Sequence, residues 1–142
     1  MKILILCTGN SARSQMAQGF LQSFDSSLEV YSAGTEPASQ VNPKAIEAMK
    51  EVGVDISDYF PKMVDQYLDD EWDYMITVCD HAKETCPSFL GKVEHRLHMG
   101  FADPAGATGP EQQILNKFRE VRNQIEQEFR RLYETRIKQT NN

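Results

Sequence analysis

The sequence has little of what marks secreted, membrane or nucleic-acid-binding proteins. Its 142 residues include only three cysteines and one tryptophan, and 21 acidic side chains outnumber 15 basic ones. The net charge of −6 argues against nucleic acid as a partner. The apolar runs are too short to span a bilayer, and Met1 leads directly into a strand pattern without a signal peptide. We therefore expect a cytoplasmic protein that does not enter a membrane.

No internal repeat, linker or low-complexity segment interrupts the chain. A length of 142 residues is near the commonest domain size, and a hydrophobic content of 40% is enough to cover a sheet. We therefore expect residues 1–142 to form a single domain.

Strand-like and helical segments alternate along the chain, which predicts an α/β fold with a parallel sheet and helices on both faces. The predicted strands are residues 3–6, 28–31, 74–78 and 93–97, with a further short strand beginning at Val54 and Ile56. Three apolar patterns predict helices. They are the face with Ala17, Phe20, Leu21 and Phe24, a segment with Asn42 as its N-cap and Gly53 after its last turn that turns Ile46 and Met49 inward, and the stripe Ile114, Phe118, Val121, Ile125, Phe129 and Leu132.

The most informative segment lies between the first strand and the first helix and reads Cys7-Thr8-Gly9-Asn10-Ser11-Ala12-Arg13-Ser14. A loop that ends at a helix N-terminus points unpaired backbone N–H groups inward, and such groups bind anions. Gly9 permits a tight turn, and the planar guanidinium of Arg13 matches two oxygens of phosphate or arsenate. The segment therefore predicts a site for a tetrahedral oxyanion.

The same loop favours Cys7 as a nucleophile. Its positive environment is expected to lower the pKa of Cys7, so that the thiol is ionised at neutral pH. Ser14 is placed to donate a hydrogen bond to the thiolate, and Asn10 to brace the loop from within. A free cysteine at the end of a buried strand is usually a small apolar filler. The strand, glycine, serine and helix around Cys7 favour the catalytic interpretation.

Cys79 and Cys86 are the second informative feature. Cys79 follows the predicted strand 74–78, and the carboxyl ends of parallel strands share one edge, so Cys79 is expected to approach Cys7. Two helical turns would separate Cys79 from Cys86 by roughly 10 Å, whereas a disulfide tolerates about 7 Å. Joining them requires the segment to unwind, which indicates a redox switch. The alternatives are inert buried thiols and a zinc site, which would use His81, His95 or His98 but lacks the usual Cys-x2-Cys spacing.

Taken together, these features resemble the low-molecular-weight tyrosine phosphatase fold and, within it, the thioredoxin-coupled arsenate reductases. The resemblance covers nearly the whole chain. It rests on residues 7–14, Tyr31-Ser32-Ala33-Gly34, the Cys79/Cys86 pair and Gly100-Phe101-Ala102-Asp103-Pro104-Ala105-Gly106. It implies a four-stranded parallel sheet flanked by helices and a role in arsenical resistance.

The resemblance also implies a mechanism without a bound cofactor. Cys7 attacks arsenate that is held by Arg13 and by the loop, and Asp103 protonates the departing oxygen. Cys79 then attacks Cys7 and releases arsenite, Cys86 attacks Cys79, and thioredoxin reduces the resulting disulfide. The loop residues implied in oxyanion binding are Thr8, Gly9, Asn10, Ser11, Ala12 and Ser14. Without the resemblance, an Asp-Pro dipeptide is typical of a turn.

Two other functions remain open. A low-molecular-weight protein tyrosine phosphatase or phosphomonoesterase would use Cys7, Arg13 and Asp103 and neither of the other cysteines. Such phosphatases usually follow their Asp-Pro with aromatic residues, where this chain has Ala105 and Gly106, although a shared anion loop would still give weak phosphatase activity. The third possibility is an anion-binding or redox-sensing module without turnover.

The chain departs from the better-known reductases at a potassium site that some of them have beside the loop. Where those proteins have a glutamate and an aspartate, this chain has Gln18 and Lys62, while Asn10 and Ser32 remain. Our hypothesis is that no potassium is needed and that the Lys62 ammonium occupies the vacant charge position. Ala12 stands where some relatives have a further cysteine, so fewer unproductive disulfides are expected.

Overall fold

Four parallel strands form the centre of the molecule. The computed structural model of the protein describes residues 1–80 and 91–140. Its strands are β1 (Lys2–Cys7), β2 (Glu29–Gly34), β3 (Trp72–Thr77) and β4 (Val93–His98). They form one sheet in the order β2-β1-β3-β4, and every neighbouring pair is parallel. The predicted class, an α/β domain with a four-stranded parallel sheet, is confirmed.

Three helices of two turns or more lie in the described part of the chain: α1 (Arg13–Phe24), α2 (Pro43–Lys50) and α3 (Glu111–Leu132). The last continues through a π-helical turn (Tyr133–Ile137) into a short helical segment (Lys138–Thr140), and 3₁₀ turns occupy Val64–Tyr67 and Pro104–Gly106. As predicted, α2 begins at the cap Asn42, whose side chain accepts the N–H of Lys44 at 2.9 Å. No helix among these is long and apolar enough to cross a membrane.

The core lies between the sheet and the helices. The apolar side chains of β1, Ile3 to Leu6, are fully buried because β1 is a central strand covered on both faces. The stripe of α3 is buried from Phe118 to Leu132, as its spacing predicts. By contrast, β4 lies at the sheet edge and alternates between partly buried and exposed positions, which accounts for its weak strand pattern.

The short strand predicted at Val54 and Ile56 is wrong, because these residues have no regular secondary structure. Ile56 is nevertheless fully buried. A Cβ built on Gly19 of α1 would lie 2.9 Å from Cγ2 of Ile56, so this loop packs closely on the helix. Two apolar residues can mark a packed loop as well as a strand. The predicted helical turns between Cys79 and Cys86 lie outside the described residues.

The strand order determines which loops meet. From β1 the chain continues to β2 on one side of the sheet, and from β3 it continues to β4 on the other side. This divergence leaves a crevice at the carboxyl ends of β1 and β3. The N–H of Val78 donates to the carbonyl of Leu6 at 2.9 Å, which continues the β1–β3 pairing beyond β3. The next residue in each segment, Cys7 and Cys79, therefore lies at the same place on the sheet edge.

Candidate active site

The loop after β1 has all of its carbonyl oxygens turned toward the protein. The six carbonyls from Cys7 to Ala12 accept, in order, from the backbone N–H of Thr35, Glu36 and Ala38, the side chain of Gln15, and the backbone N–H of Asn42 and Met16. No cis peptide occurs in the described residues. In a trans peptide the N–H points opposite to the carbonyl. The N–H groups of residues 8–13 are therefore directed to the other side, which is the arrangement that binds an oxyanion.

Asn10 braces this loop from within, as predicted. It is fully buried and has a φ of 51°, a left-handed conformation that asparagine tolerates better than most residues. Its Nδ2 donates to Oγ of Ser14 at 2.7 Å and to Oγ of Ser32 at 3.0 Å. Its Oδ1 accepts the backbone N–H of Lys62 at 3.0 Å. Four hydrogen-bonding partners thus hold the turn, counting the Gln15 amide on its carbonyl.

Arg13 begins α1 and faces the segment that contains Asp103. Its Nη1 donates to the carbonyl of Phe101 at 3.0 Å, and its Nη2 lies 3.6 Å from Oδ2 of Asp103. Asp103 caps the 3₁₀ turn that follows it by accepting the N–H of Ala105 at 3.0 Å. Loop residues 7–13, Asp103 and Ala105 line one cleft of about 180 Å³. The predicted nucleophile, arginine and acid therefore share one cleft.

The Arg13–Asp103 pair is held loosely. The Asp103 side chain is 52% exposed, and pairs of this kind contribute about 1 kcal/mol or less to stability. One carboxylate oxygen of Asp103 accepts the N–H of Ala105, and the other faces Arg13. Phe101, two residues before Asp103, is anchored by its ring, which stacks on Phe129 of α3 at 6.2 Å, and by its N–H, which donates to the carbonyl of Val78.

Cys79 lies directly at the oxyanion loop. Cys7 and Cys79 are both buried, and the Cys79 side chain is close enough to Cys7 to act on the pKa of its thiol. Oγ1 of Thr8 lies 3.3 Å from Sγ of Cys79. The expected approach of Cys79 to Cys7 is therefore confirmed. Cys86 lies outside the described residues.

The expected lowering of the Cys7 pKa is wrong for this arrangement. The hydrogen bond with Cys79 and burial of the thiol raise the pKa of Cys7 far above its ordinary value. The Arg13 guanidinium and the N–H of Thr8 lower this pKa, but they offset only part of the rise. The groups that lower the pKa, Arg13 and the loop amides, can be identified from the sequence. The burial of Cys7 and the proximity of Cys79, which raise it, depend on the fold.

The four residues at the suspected cation site do not fit a cation. Ser32 donates to Oε1 of Gln18 at 2.6 Å, and Asn10 turns its Nδ2 group toward Ser32. Both positions that carry a carboxylate in some relatives lack one here. The Lys62 ammonium donates to the carbonyl of Phe60 at 2.8 Å, and only its backbone N–H reaches Asn10. This corrects the hypothesis that the Lys62 ammonium takes the place of the cation. At the suspected cation site, neutral amides and hydroxyls pair with one another instead.

Two contacts of the site leave no trace in sequence patterns. Phe101 acts through its backbone carbonyl, which any residue would supply. Gln15 is a fully buried amide in the first turn of α1, between Ser14 and apolar residues, where the sequence shows only a polar position on a helix.

Two of the histidines that a zinc site would use, His95 and His98, have other partners. His98 contacts Thr77 and Asp80 through its two ring nitrogens, and His95 stacks on Tyr74. Over residues 1–80 and 91–140, no group of three or more His, Cys, Asp or Glu side chains is placed to hold a metal ion.

Comparison with known proteins places this geometry in a family. The sequence model described as low molecular weight phosphotyrosine protein phosphatase matches residues 2–142. The chain therefore belongs to the low-molecular-weight phosphotyrosine protein phosphatase family.

Within that family, several similar proteins are named arsenate reductases. A protein of that name from Halalkalibacterium halodurans is 44% identical over 134 residues, which is 94% of this chain and 95% of the relative. A solved arsenate reductase in the phosphate-binding state superposes with a TM-score of 0.78 at 32% identity and covers 92% of this chain and 95% of its own. The thioredoxin-dependent arsenate reductase of Corynebacterium glutamicum gives a TM-score of 0.68 at 32% identity over 94% of this chain and 60% of its own. The resemblance found in the sequence is confirmed.

Proposed function

We propose that the protein reduces arsenate to arsenite by a relay of its three cysteines, with thioredoxin as the electron donor. The observation that carries the proposal is the position of Cys79 at the oxyanion loop, where its sulfur lies 3.3 Å from Oγ1 of Thr8 and its side chain interacts with Cys7. Hydrolysis of a phosphate ester needs one nucleophilic thiol, whereas reduction of arsenic needs a second thiol within reach of the first. The relatives named arsenate reductase support the same conclusion.

The first step is displacement at arsenic. Arsenate binds to the loop N–H groups and to the Arg13 guanidinium, and the Cys7 thiolate forms a sulfur–arsenic bond. The carboxyl group of Asp103 protonates the departing oxygen, which leaves as water. Asp103 lies on the cleft that Cys7 lines, which supports this role.

The second step carries the reduction. The Cys79 thiolate attacks the sulfur of Cys7, a disulfide forms, and the electron pair of the sulfur–arsenic bond passes to arsenic. Arsenic(V) thereby becomes arsenic(III) and leaves as arsenite, while the two sulfurs are oxidised. The interaction of Cys79 with Cys7 and its contact with Thr8 support this attack.

The third step regenerates Cys7. Cys86 attacks the sulfur of Cys79, which releases the Cys7 thiolate and forms a Cys79–Cys86 disulfide. The dithiol of thioredoxin then reduces that disulfide and supplies the two electrons consumed in the second step. The thioredoxin dependence of the Corynebacterium glutamicum relative supports this donor.

The decisive experiment couples NADPH oxidation to arsenate through thioredoxin reductase and thioredoxin. Wild type is compared with Cys79→Ser and Cys86→Ser, and hydrolysis of a phosphotyrosine analogue serves as the control for a folded loop. We expect arsenate-dependent NADPH oxidation in wild type, its loss in both variants, and continued ester hydrolysis in all three.

The outcomes separate the three candidate functions. Ester hydrolysis without arsenate-dependent oxidation in wild type would indicate the phosphatase, which needs only Cys7, Arg13 and Asp103. Turnover that persists in Cys86→Ser would contradict the three-cysteine relay while retaining the reductase. Binding of arsenate with neither reaction would indicate an anion-binding module.

A further inference from the structure

One carbonyl of the oxyanion loop is held differently from its neighbours. The carbonyls of the other five residues between Cys7 and Ala12 accept from backbone N–H groups, whereas that of Asn10 accepts from the side-chain amide of Gln15 at 2.9 Å. Gln15 lies in the first turn of α1 and is fully buried. We propose that Gln15 is a positioning residue that turns the N–H of Ser11 toward the bound oxyanion. This inference rests on the oxyanion site of the proposed function and adds a residue to it.

The link from Gln15 to Ser11 is the geometry of one peptide plane. The Asn10 carbonyl and the Ser11 N–H belong to the same trans peptide and point in opposite directions. A carbonyl held inward by Gln15 therefore directs the N–H outward, to the side where Ser11 lines the cleft. Rotation of this peptide would break no backbone hydrogen bond of the Asn10 carbonyl. The restraint on this peptide comes from the Gln15 amide.

Gln15 is itself fixed by contacts with two other segments. Its Nε2 also donates to the carbonyl of Phe60 at 3.1 Å, and its Oε1 lies 3.4 Å from Oγ of Ser32, whose proton goes to Gln18. The Phe60 carbonyl has a second donor in the Lys62 ammonium at 2.8 Å. If the Gln15 amide is lost, the Phe60 carbonyl therefore keeps one hydrogen-bond donor, the Lys62 ammonium. The Asn10 carbonyl loses its only donor within the described chain. The consequence falls on the oxyanion loop.

The test is the affinity for inorganic phosphate, measured by calorimetry on the full chain. Gln15→Met keeps the length of the side chain and removes both N–H donors. Gln22→Met is the matched control, because it makes the same change on the same helix and removes contacts with the carbonyls of Asp25 and Leu28. We expect phosphate to bind about tenfold more weakly to Gln15→Met, since an aligned donor to a charged group is lost. Gln22→Met should bind phosphate as wild type does.

Thermal melting of both variants accompanies the titrations. A folded Gln15→Met protein with the wild-type phosphate affinity would overturn the proposal. An equal loss of affinity in Gln22→Met would also overturn it, because the effect would then follow from a weakened helix and not from the loop.

A second measurement needs no variant and keeps the inference falsifiable if Gln15→Met does not fold. In ¹⁵N-labelled wild type titrated with phosphate, the amide proton of Ser11 should shift downfield together with those of Gly9 and Ala12. Shifts at Gly9 and Ala12 without one at Ser11 would contradict the inference. Both experiments measure phosphate binding alone. A failure of arsenate reduction would therefore contradict the proposed function without changing the conclusion about Gln15.

Discussion

The sulfur of Cys79 lies 3.3 Å from the hydroxyl oxygen of Thr8, although 71 positions separate the two residues in the sequence. This contact exists because β1 and β3 are neighbours in the sheet, with Cys7 at the carboxyl end of β1 and Cys79 two residues beyond the end of β3. The same arrangement brings the Cys79 side chain close enough to Cys7 to raise the pKa of its thiol. The acidity of Cys7 therefore depends on the presence of Cys79.

Replacing Cys79 by alanine should lower the pKa of Cys7. The hydrogen bond with Cys79 is the largest cause of the raised pKa, and its removal leaves burial opposed by Arg13 and the Thr8 N–H. Since a raised pKa favours the neutral thiol, wild-type Cys7 should gain thiolate and reactivity as the pH rises, and Cys79→Ala should reach the same reactivity at lower pH. The measurement is the rate of alkylation of Cys7 by iodoacetamide against pH, followed by mass spectrometry.

Cys86→Ala is the matched control for this prediction, because it also removes one thiol but leaves the Cys7–Cys79 pair intact. Its pH profile should coincide with that of wild type. Identical profiles for Cys79→Ala and Cys86→Ala would show that the second thiol does not set the acidity of Cys7.

Asp103→Asn should slow turnover by about 10²- to 10⁴-fold, the usual contribution of a general acid. Folding stability should change little, because the Asp103 side chain is half exposed and its pair with Arg13 is weak. Arsenate-coupled NADPH oxidation and urea unfolding measure the two effects. Asp69→Asn provides the same chemical change at an exposed position away from the cleft. Near-wild-type turnover in Asp103→Asn would exclude the proposed acid.

Gly34→Ala should displace the oxyanion loop. A Cβ at Gly34 would lie 2.5 Å from the Thr8 carbonyl oxygen and 3.1 Å from Cβ of Asn10, so backbone must shift. We expect phosphate to bind about tenfold more weakly and a loss of stability of about 1–3 kcal/mol, as in overpacked cores. Gly106→Ala is the control, because a Cβ there meets no atom within 4 Å. Calorimetry and urea unfolding give both quantities, and equal behaviour of the two variants would contradict the prediction.

Potassium should not stimulate the enzyme. Gln18, Ser32 and Asn10 pair with one another where a cation would require free oxygen ligands. Initial rates with arsenate in potassium and sodium salts at the same ionic strength should therefore agree. A severalfold higher rate in potassium alone would mean that this network opens to admit the ion.

Features that depend on neighbouring residues could be predicted from the sequence. The oxyanion loop is one, because the end of a strand, a glycine, an arginine and the start of a helix lie within eight residues. The cap at Asn42 and the apolar stripe of α3 are others, since capping and helical periodicity act over a few positions. The pair Val54 and Ile56 was too short a pattern to distinguish a strand from a packed loop.

Only the tertiary structure decided the features that join distant segments. The sequence placed Cys7 and Cys79 on one edge of a parallel sheet, but their contact requires that β1 and β3 be neighbours, and strand order is not a local property. The raised pKa of Cys7 likewise depends on burial and on Cys79. Gln15 and the carbonyl of Phe101 reach the loop through side-chain packing and backbone hydrogen bonds. Local sequence thus determined the chemical groups of the site, and long-range packing determined their distances and acidity.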